Sequence, residues 1–317
     1  MSTATGKLDR VIQRTQEKIA NEQYYEAHQA VRTIVARYVR TKNYTEAIHI
    51  LENSAELLLK AGQGGSGSDL FLYLLEVYDI GEIRVDAGSR ARLLKLLALV
   101  RDDDPTLVKI ANEITKWSSQ FGDSIPLGDP ELHHVLGSKF AAADEAYEAE
   151  KHLLVGTRES PVILAKLLFD WYAEADDFKR APQFLSRGVF GYLSIENFRD
   201  AHVVTKKFIE LLKASPDCGK KYTFDAEITQ DGISISSELP LLNFLQLLIV
   251  TCEYKSVDMY RRLISRYQSD IADLSAWTRP LDQIAQQYFG IAPQRSNNMF
   301  QDILGSLMGG GGGSIAA

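Results

Sequence analysis

The chain has 317 residues, 45% of them hydrophobic and 24% charged, with a net charge of -7. That composition excludes a disordered or fibrous polymer and suffices for a substantial core or two domains. Two cysteines, Cys218 and Cys252, form neither a disulfide framework nor a metal-ligand spacing, and the start lacks a secretory signal's apolar run, so a cytosolic protein is expected.

The charge is uneven: the first 42 residues carry eight Lys or Arg against four Asp or Glu, the remainder 27 against 38. Lys7, Arg10, Arg14 and Lys18 recur at steps of three and four, which on a helix places them on one face. Leu8, Val11, Ile12, Thr15 and Ile19 form the adjoining stripe that docks on a core. A second helix is predicted over Tyr24 to Arg40, with Ala27, Val31, Ile34, Val35 and Tyr38 at core spacing and His28, Arg32, Arg37 and Arg40 on its other faces. Asn43-Tyr44-Thr45-Glu46-Ala47 then echoes Gln23-Tyr24-Tyr25-Glu26-Ala27, a ring that fills a gap and an Ala that admits a close backbone, as stacked helical hairpins require. The basic stripe has two readings, a solvated helix face or a docking surface for an acidic partner; RNA or an anionic membrane is the alternative to a protein.

Gly62, Gly64 and Gly67 satisfy G-x-G-x-x-G, but the run follows a helical pattern rather than a strand and no Lys-Ser or Lys-Thr succeeds it. It is read as a flexible loop, with Ser68 or Asp69 capping the next helix. Helical patterns continue over Leu70 to Ile80, Ser89 to Val100, Pro105 to Phe121, Glu131 to Phe140, Ala141 to Val155, Val162 to Ala175 and Arg180 to Leu193. Tyr147-Glu148-Ala149 and Phe198-Arg199-Asp200-Ala201 repeat the earlier signature. Repeated short helices specify an all-α fold, an α-solenoid of tetratricopeptide-like hairpins, although the full tetratricopeptide consensus is missing.

One region departs from this pattern. Tyr222, Phe224, Ala226 and Ile228 alternate with polar residues, Asp231-Gly232 is a turn signal, and Ile233 and Ile235 alternate beyond it, so a β-hairpin is predicted over 221–236. After it, Leu239 to Val250 is the longest apolar run, broken by Pro240, Asn243 and Gln246 and shorter than the ~20 residues of a membrane helix. It reads as a core helix apolar on nearly all sides, covered either by its own neighbours or by a second chain. Met299 to Met308 places Phe300, Ile303, Leu304 and Leu307 on one face, a cap or a partner-binding helix, ahead of a glycine-rich tail over 309–317. No H-E-x-x-H, C-x-x-C or G-x-S-x-G occurs, His133-His134 point to different faces, and no metal, cofactor or catalytic constellation is expected.

Long stretches carry a resemblance. Tyr24-Tyr25-Glu26-Ala27-His28-Gln29, Arg37-Tyr38-Val39-Arg40, Gln63-Gly64-Gly65-Ser66-Gly67, Tyr73-Leu74-Leu75-Glu76-Val77-Tyr78-Asp79, Asn243-Phe244-Leu245-Gln246-Leu247-Leu248 and the closing Phe300-Gln301-Asp302 resemble the Golgi-to-ER traffic protein 4 family. The resemblance implies a non-enzymatic helical adaptor in two halves. Residues 1–155 would bind the ATPase dimer that carries tail-anchored membrane proteins, and 156–308 would hold a ubiquitin-like subunit that recruits chaperones, so that clients pass to the ATPase for insertion into the ER membrane. By position, the ATPase contacts would be Arg10, Arg14, Lys18, Tyr24, His28 and Arg40, with Asp69 a regulatory acidic contact. By region, the ubiquitin-like subunit would meet Tyr222, Phe224, Ile233, Ile235, Leu241, Phe244, Phe300 and Ile303.

Overall fold

A computed structural model of the chain describes residues 2–123, 125–175, 177–216, 222–224 and 232–292. Among these are fourteen α-helices: α1 (Ser2–Ala20), α2 (Tyr24–Arg40), α3 (Tyr44–Lys60), α4 (Gly64–Ile80), α5 (Ala87–Leu97), α6 (Leu107–Phe121), α7 (Pro130–Ala142), α8 (Ala146–Leu153), α9 (Ser160–Ala173), α10 (Ala181–Ser194), α11 (Phe198–Ala214), α12 (Pro240–Tyr254), α13 (Val257–Ile271) and α14 (Ser275–Phe289). They fall into two compact units. The first comprises residues up to Tyr192 together with Arg199–Tyr222; the second comprises Leu193–Phe198 and the described residues from Thr223 onward. The expected division after residue 155 lies within the first unit, between α8 and α9, which pack on each other.

In the first unit many helices pack on the one two places along the chain: α3 touches α1 and α5, α7 touches α5 and α9, while α4 touches α2 and α6. The odd helices through α9 therefore form one layer and the even helices through α6 a second, which is the α-solenoid arrangement. The first connections share one device. The N–H groups of Gln23, Asn43, Gln63 and Ile83 each donate, at 2.9 Å, to the carbonyl five residues back. The residue before each is left-handed: Glu22, Lys42, Gly62 and Glu82 have φ of 58, 58, 73 and 48°. These are Schellman closures, which satisfy a helix's last carbonyls and turn the chain within three residues.

Small residues set the spacing between helices. Ala27, Ala47, Ala149 and Ala201, the alanines of the repeated signature, are fully buried. A Cβ on Gly67 of α4 would lie 2.6 Å from Leu59 Cγ of α3, and one on Gly137 of α7 would lie 2.7 Å from Leu153 Cγ of α8, so these pairs approach only through glycine. The run from Gly64 is thus the first turn of α4 and not the flexible loop expected; Ser68 and Asp69 sit within the helix rather than at its cap.

The predicted β-hairpin does not appear among the described residues: 222–224 and 232–236 carry no strand, while 221 and 225–231, with Asp231, Ala226 and Ile228, lie outside them. The backbone that would have formed the second strand pairs with a helix instead. Ser234 N–H donates to Gln246 Oε1 (2.9 Å) while Gln246 Nε2 donates to the Ser234 carbonyl (2.8 Å). Ser236 N–H donates to Asn243 Oδ1 (3.0 Å), and Asn243 Nδ2 returns a bond to the Ser236 carbonyl (2.7 Å). Two side-chain amides one turn apart on α12 thereby satisfy the backbone of Ser234 and Ser236, the role a neighbouring strand would have filled. The polar residues that interrupt the apolar run are its means of holding this segment.

In the second unit Leu242, Phe244, Leu245, Leu248, Ile249 and Cys252 of α12 are fully buried. Phe244 stacks on Trp277 of α14 at 5.9 Å between centroids and meets Tyr267 of α13 edge-on at 5.5 Å. Tyr260 stacks on Phe289 at 4.4 Å, and the Tyr288 hydroxyl donates to the Leu193 carbonyl at 2.6 Å. The apolar helix is covered largely by its own unit, leaving Leu241, Leu247 and Val250 half-buried.

Candidate functional site

The cationic face is built on α1 and α2. Leu8 and Thr15 turn α1 inward, and Ala27, Val31 and Val35 do the same for α2. Arg10, Arg14, Arg37 and Arg40 are left exposed, and Lys18 and Tyr24 half-buried. None of these five cations forms an ion pair with a carboxylate among the described residues. Tyr25, beside Tyr24, is 71% exposed. The face therefore presents unneutralised charge next to an exposed ring, a composition that suits recognition of an acidic surface.

His28 and Asp69 are not independent contacts. His28 Nε2 donates to Asp69 Oδ2 at 2.7 Å, joining α2 to α4. Arg32 Nη1 donates to the same oxygen at 2.6 Å, and its guanidinium lies 5.2 Å above the Tyr73 ring. Burial opposes ionisation of Asp69, but the hydrogen bonds and charge of His28 and Arg32 outweigh it and hold the carboxyl below the usual range. Arg32 and Tyr73 were absent from the expected site. The signal that finds Arg32 is its spacing of 37 residues from Asp69, which recurs in Asp79–Lys116 (3.0 Å, α4 to α6) and Glu150–Arg187 (2.6 Å, α8 to α10). Lys151 to Asn112 (3.4 Å) links α6 to α8 at a spacing of 39. Polar cross-links thus run along the even helices at the period of the repeat. Arg32, Asp69, Tyr73, Glu76, Lys109 and Glu113 line part of a groove of about 440 Å³ beside them.

The residues expected to meet a ubiquitin-like subunit are unevenly placed. Tyr222, Ile233 and Phe244 are buried, Phe224, Ile235 and Leu241 are half-buried, and Phe300 and Ile303 lie outside the described residues. Among the described residues of the second unit, the large apolar side chains most exposed are Tyr254 (69%) and Met259 (41%), neither of which was expected to matter. They flank the break between α12 and α13, where Lys255 turns left-handed at φ 49°; that break is not encoded by a glycine.

Chemistry at the glycine run is closed off by a carboxylate. Asp104 Oδ2 accepts from the Ser68 hydroxyl at 3.1 Å and would lie 3.4 Å from a Cβ on Gly64, so an anion at the start of α4 would face negative charge. Among the described residues no group of three or more His, Cys, Asp or Glu is placed to hold a metal ion, and no helix is long and apolar enough to cross a membrane.

Stacked helical hairpins that carry an exposed charged face define an α-solenoid. The family model for Golgi to ER traffic protein 4 matches residues 41–308. Golgi to ER traffic protein 4 of Aspergillus fumigatus is 39% identical over 321 residues, covering 97% of this chain and 91% of the relative. The Schizosaccharomyces pombe protein of that name is 29% identical over 308 residues, covering 96% of each. The crystal structure of C. therm. Get4 matches with a TM-score of 0.88 and 38% identity, covering 98% of both chains. The chain belongs to the Golgi to ER traffic protein 4 family.

Proposed function

We propose that this chain is a non-enzymatic cytosolic adaptor in Golgi-to-ER traffic. Its first unit docks on the ATPase that carries tail-anchored proteins, and its second unit holds a ubiquitin-like, chaperone-recruiting subunit, so that clients are handed to the ATPase for insertion at the ER. Arg10, Arg14, Lys18 and Arg40 meet acidic residues of the ATPase, Tyr24 anchors the contact, and His28 and Asp69 lie at its edge. The observation that carries the reading is that these four cations have no carboxylate partner among the described residues, so binding an acid costs them no internal ion pair. Partly exposed Phe224, Ile235 and Leu241, with Tyr254 and Met259, support subunit capture by the second unit.

Charge reversal tests this. Arg14→Glu with Lys18→Glu is expected to abolish capture of the targeting ATPase in a pull-down, and added salt is expected to weaken the unaltered pair. Capture that survives both changes overturns the assignment. If the unaltered chain instead binds RNA or phosphatidylserine vesicles with a steep salt slope and ignores the ATPase, the cationic face reads a polyanion and not a protein.

A further inference from the structure

A second outward tyrosine sits in the first unit, away from the cationic face. Tyr-Glu-Ala occurs at 25–27 on α2 and again at 147–149 on α8. In both copies the alanine is fully buried while the ring two residues earlier turns to solvent, Tyr25 71% and Tyr147 68% exposed. Residues two apart on a helix point about 200° apart, so packing the alanine sends the ring outward. Tyr147 is also pinned. It meets Trp171 of α9 edge-on at 5.1 Å between centroids, and Trp171 meets Phe184 of α10 likewise at 5.9 Å. The Arg187 guanidinium lies 5.2 Å from the Tyr147 centroid and 5.0 Å from that of Trp171, while its Nε donates to Glu150 Oε2 at 2.6 Å. Tyr, Trp and Arg carry most of the energy of protein interfaces, and a ring already held in place loses little freedom on contact.

Charge selects what such a surface takes. Asp144 and Glu145, in the turn before Tyr147, and Glu174, directly after α9, are exposed and have no cationic partner among the described residues. Lys151 and Lys166 are spent on Glu148 and Asp170, and Arg187 on Glu150. Arg180 lies over Phe184, on the α10 side of the stack. We propose that Tyr147 and Trp171 form a docking surface for an arginine-bearing segment of a further protein partner. A guanidinium of that segment stacks on the solvent-facing side of Tyr147, as Arg187 already does within the chain, and neighbouring cations pair with Asp144, Glu145 and Glu174. The α1–α2 face carries the opposite charge, so the two tyrosine-centred surfaces select different partners.

Trp171 provides the readout, since it is half-buried whereas the other two tryptophans, Trp117 and Trp277, are buried. Tryptophan emission of the full chain is followed at physiological salt during titration with a synthetic arginine–leucine peptide and, separately, with its glutamate–leucine counterpart. Saturable binding of the arginine peptide is expected. It should weaken about fivefold or more in Tyr147→Ser and in Glu145→Lys with Glu174→Lys, and persist in Tyr147→Phe, which keeps the ring. The altered side chains are exposed, and circular dichroism establishes that each variant is folded. An arginine peptide that binds every variant equally is drawn by the acidic chain as a whole, and the proposal fails. It fails also if the glutamate peptide binds as tightly, or if neither peptide gives saturable binding. Capture of the targeting ATPase should be unchanged in Tyr147→Ser; its loss would place the ring in that other interface and overturn the assignment.

Discussion

Acid should loosen the α7–α8 hairpin through two histidines whose protonation is fixed by geometry. His133 Nε2 lies 2.8 Å from the Leu127 carbonyl, which only accepts, so that nitrogen carries the proton. His133 Nδ1 must then accept, and the 2.7 Å contact to His152 Nδ1 makes His152 the donor. What remains is His152 Nε2, a buried lone pair without a hydrogen-bond partner, 4.0 Å from Glu148 Oε2. Protonating His152 would place a charge in a fully buried ring stacked on Phe140; burial, then the neighbouring His133 and Lys151, push its pKa down to about 3 from an ordinary 6.5. Burial lowers His133 as well. The folded state therefore refuses a proton that the unfolded chain accepts, so this contribution is intact above pH 6.5 and is lost as pH falls from there toward about 3. At about 1.4 kcal/mol per pH unit, roughly 2 kcal/mol is lost by pH 5. Urea unfolding of the unaltered chain and of His152→Gln, which keeps a donor for His133 but does not titrate, measures it at pH 7.5 and 5.0. The stability lost between these pH values should be larger in the unaltered chain by about 2 kcal/mol. Equal losses in the two proteins would refute the tautomer argument.

Three further outcomes follow from packing and backbone pairing. Phe244→Ala should lower stability by roughly 3 to 5 kcal/mol, since the ring is fully buried between Tyr267 and Trp277; calorimetry that resolves no change in melting temperature would contradict that burial. Gly67→Ala and Gly65→Ala should differ in sign: the first drives a Cβ to 2.6 Å from Leu59 Cγ and should cost roughly 1 to 3 kcal/mol, whereas the second meets nothing within 4 Å and should gain up to about 1 kcal/mol in helix propensity. Asn243→Leu keeps the γ-branched shape but strips Ser236 of its N–H acceptor and carbonyl donor; about 1 to 3 kcal/mol of destabilisation is expected, with faster amide exchange at Ser236 as its local signature.

The solenoid was legible because its information is local. Periodicity found most of the helices, although α4 begins at Gly64 rather than Leu70 and α8 at Ala146 rather than Ala141, and the Tyr-to-Ala echo marked alanines that proved fully buried at helix contacts. Where one helix yields to the next was less legible, because the left-handed closing residues are Glu22, Lys42, Gly62 and Glu82, and only one of the four is the glycine that such a position favours. Gly64 to Gly67 misled for the converse reason. Glycines that read as a loop serve a helix whose neighbour approaches too closely for a Cβ, and that neighbour, Leu59, cannot be inferred from the run itself.

The hairpin failed for a reason that also bears on the docking face. Alternation at Ile233 and Ile235 was read as a strand, but this backbone needs only donors and acceptors at the right spacing, and Asn243 and Gln246 supply them from a helix. Pairing of this kind joins residues that no local pattern connects. Asp69 is the same case at the surface: its place on α4 was readable, yet its chemistry is set by Arg32 and His28 from α2, 37 and 41 residues earlier. A repeat protein brings such groups together at a fixed offset, as Asp79 with Lys116 and Glu150 with Arg187 show. Once that offset is known, a cation 37 residues from an acid on an even helix is a candidate internal partner. Arg10, Arg14, Lys18 and Arg40 find no such partner among the described residues, which is the physical basis for reading them as directed at another molecule.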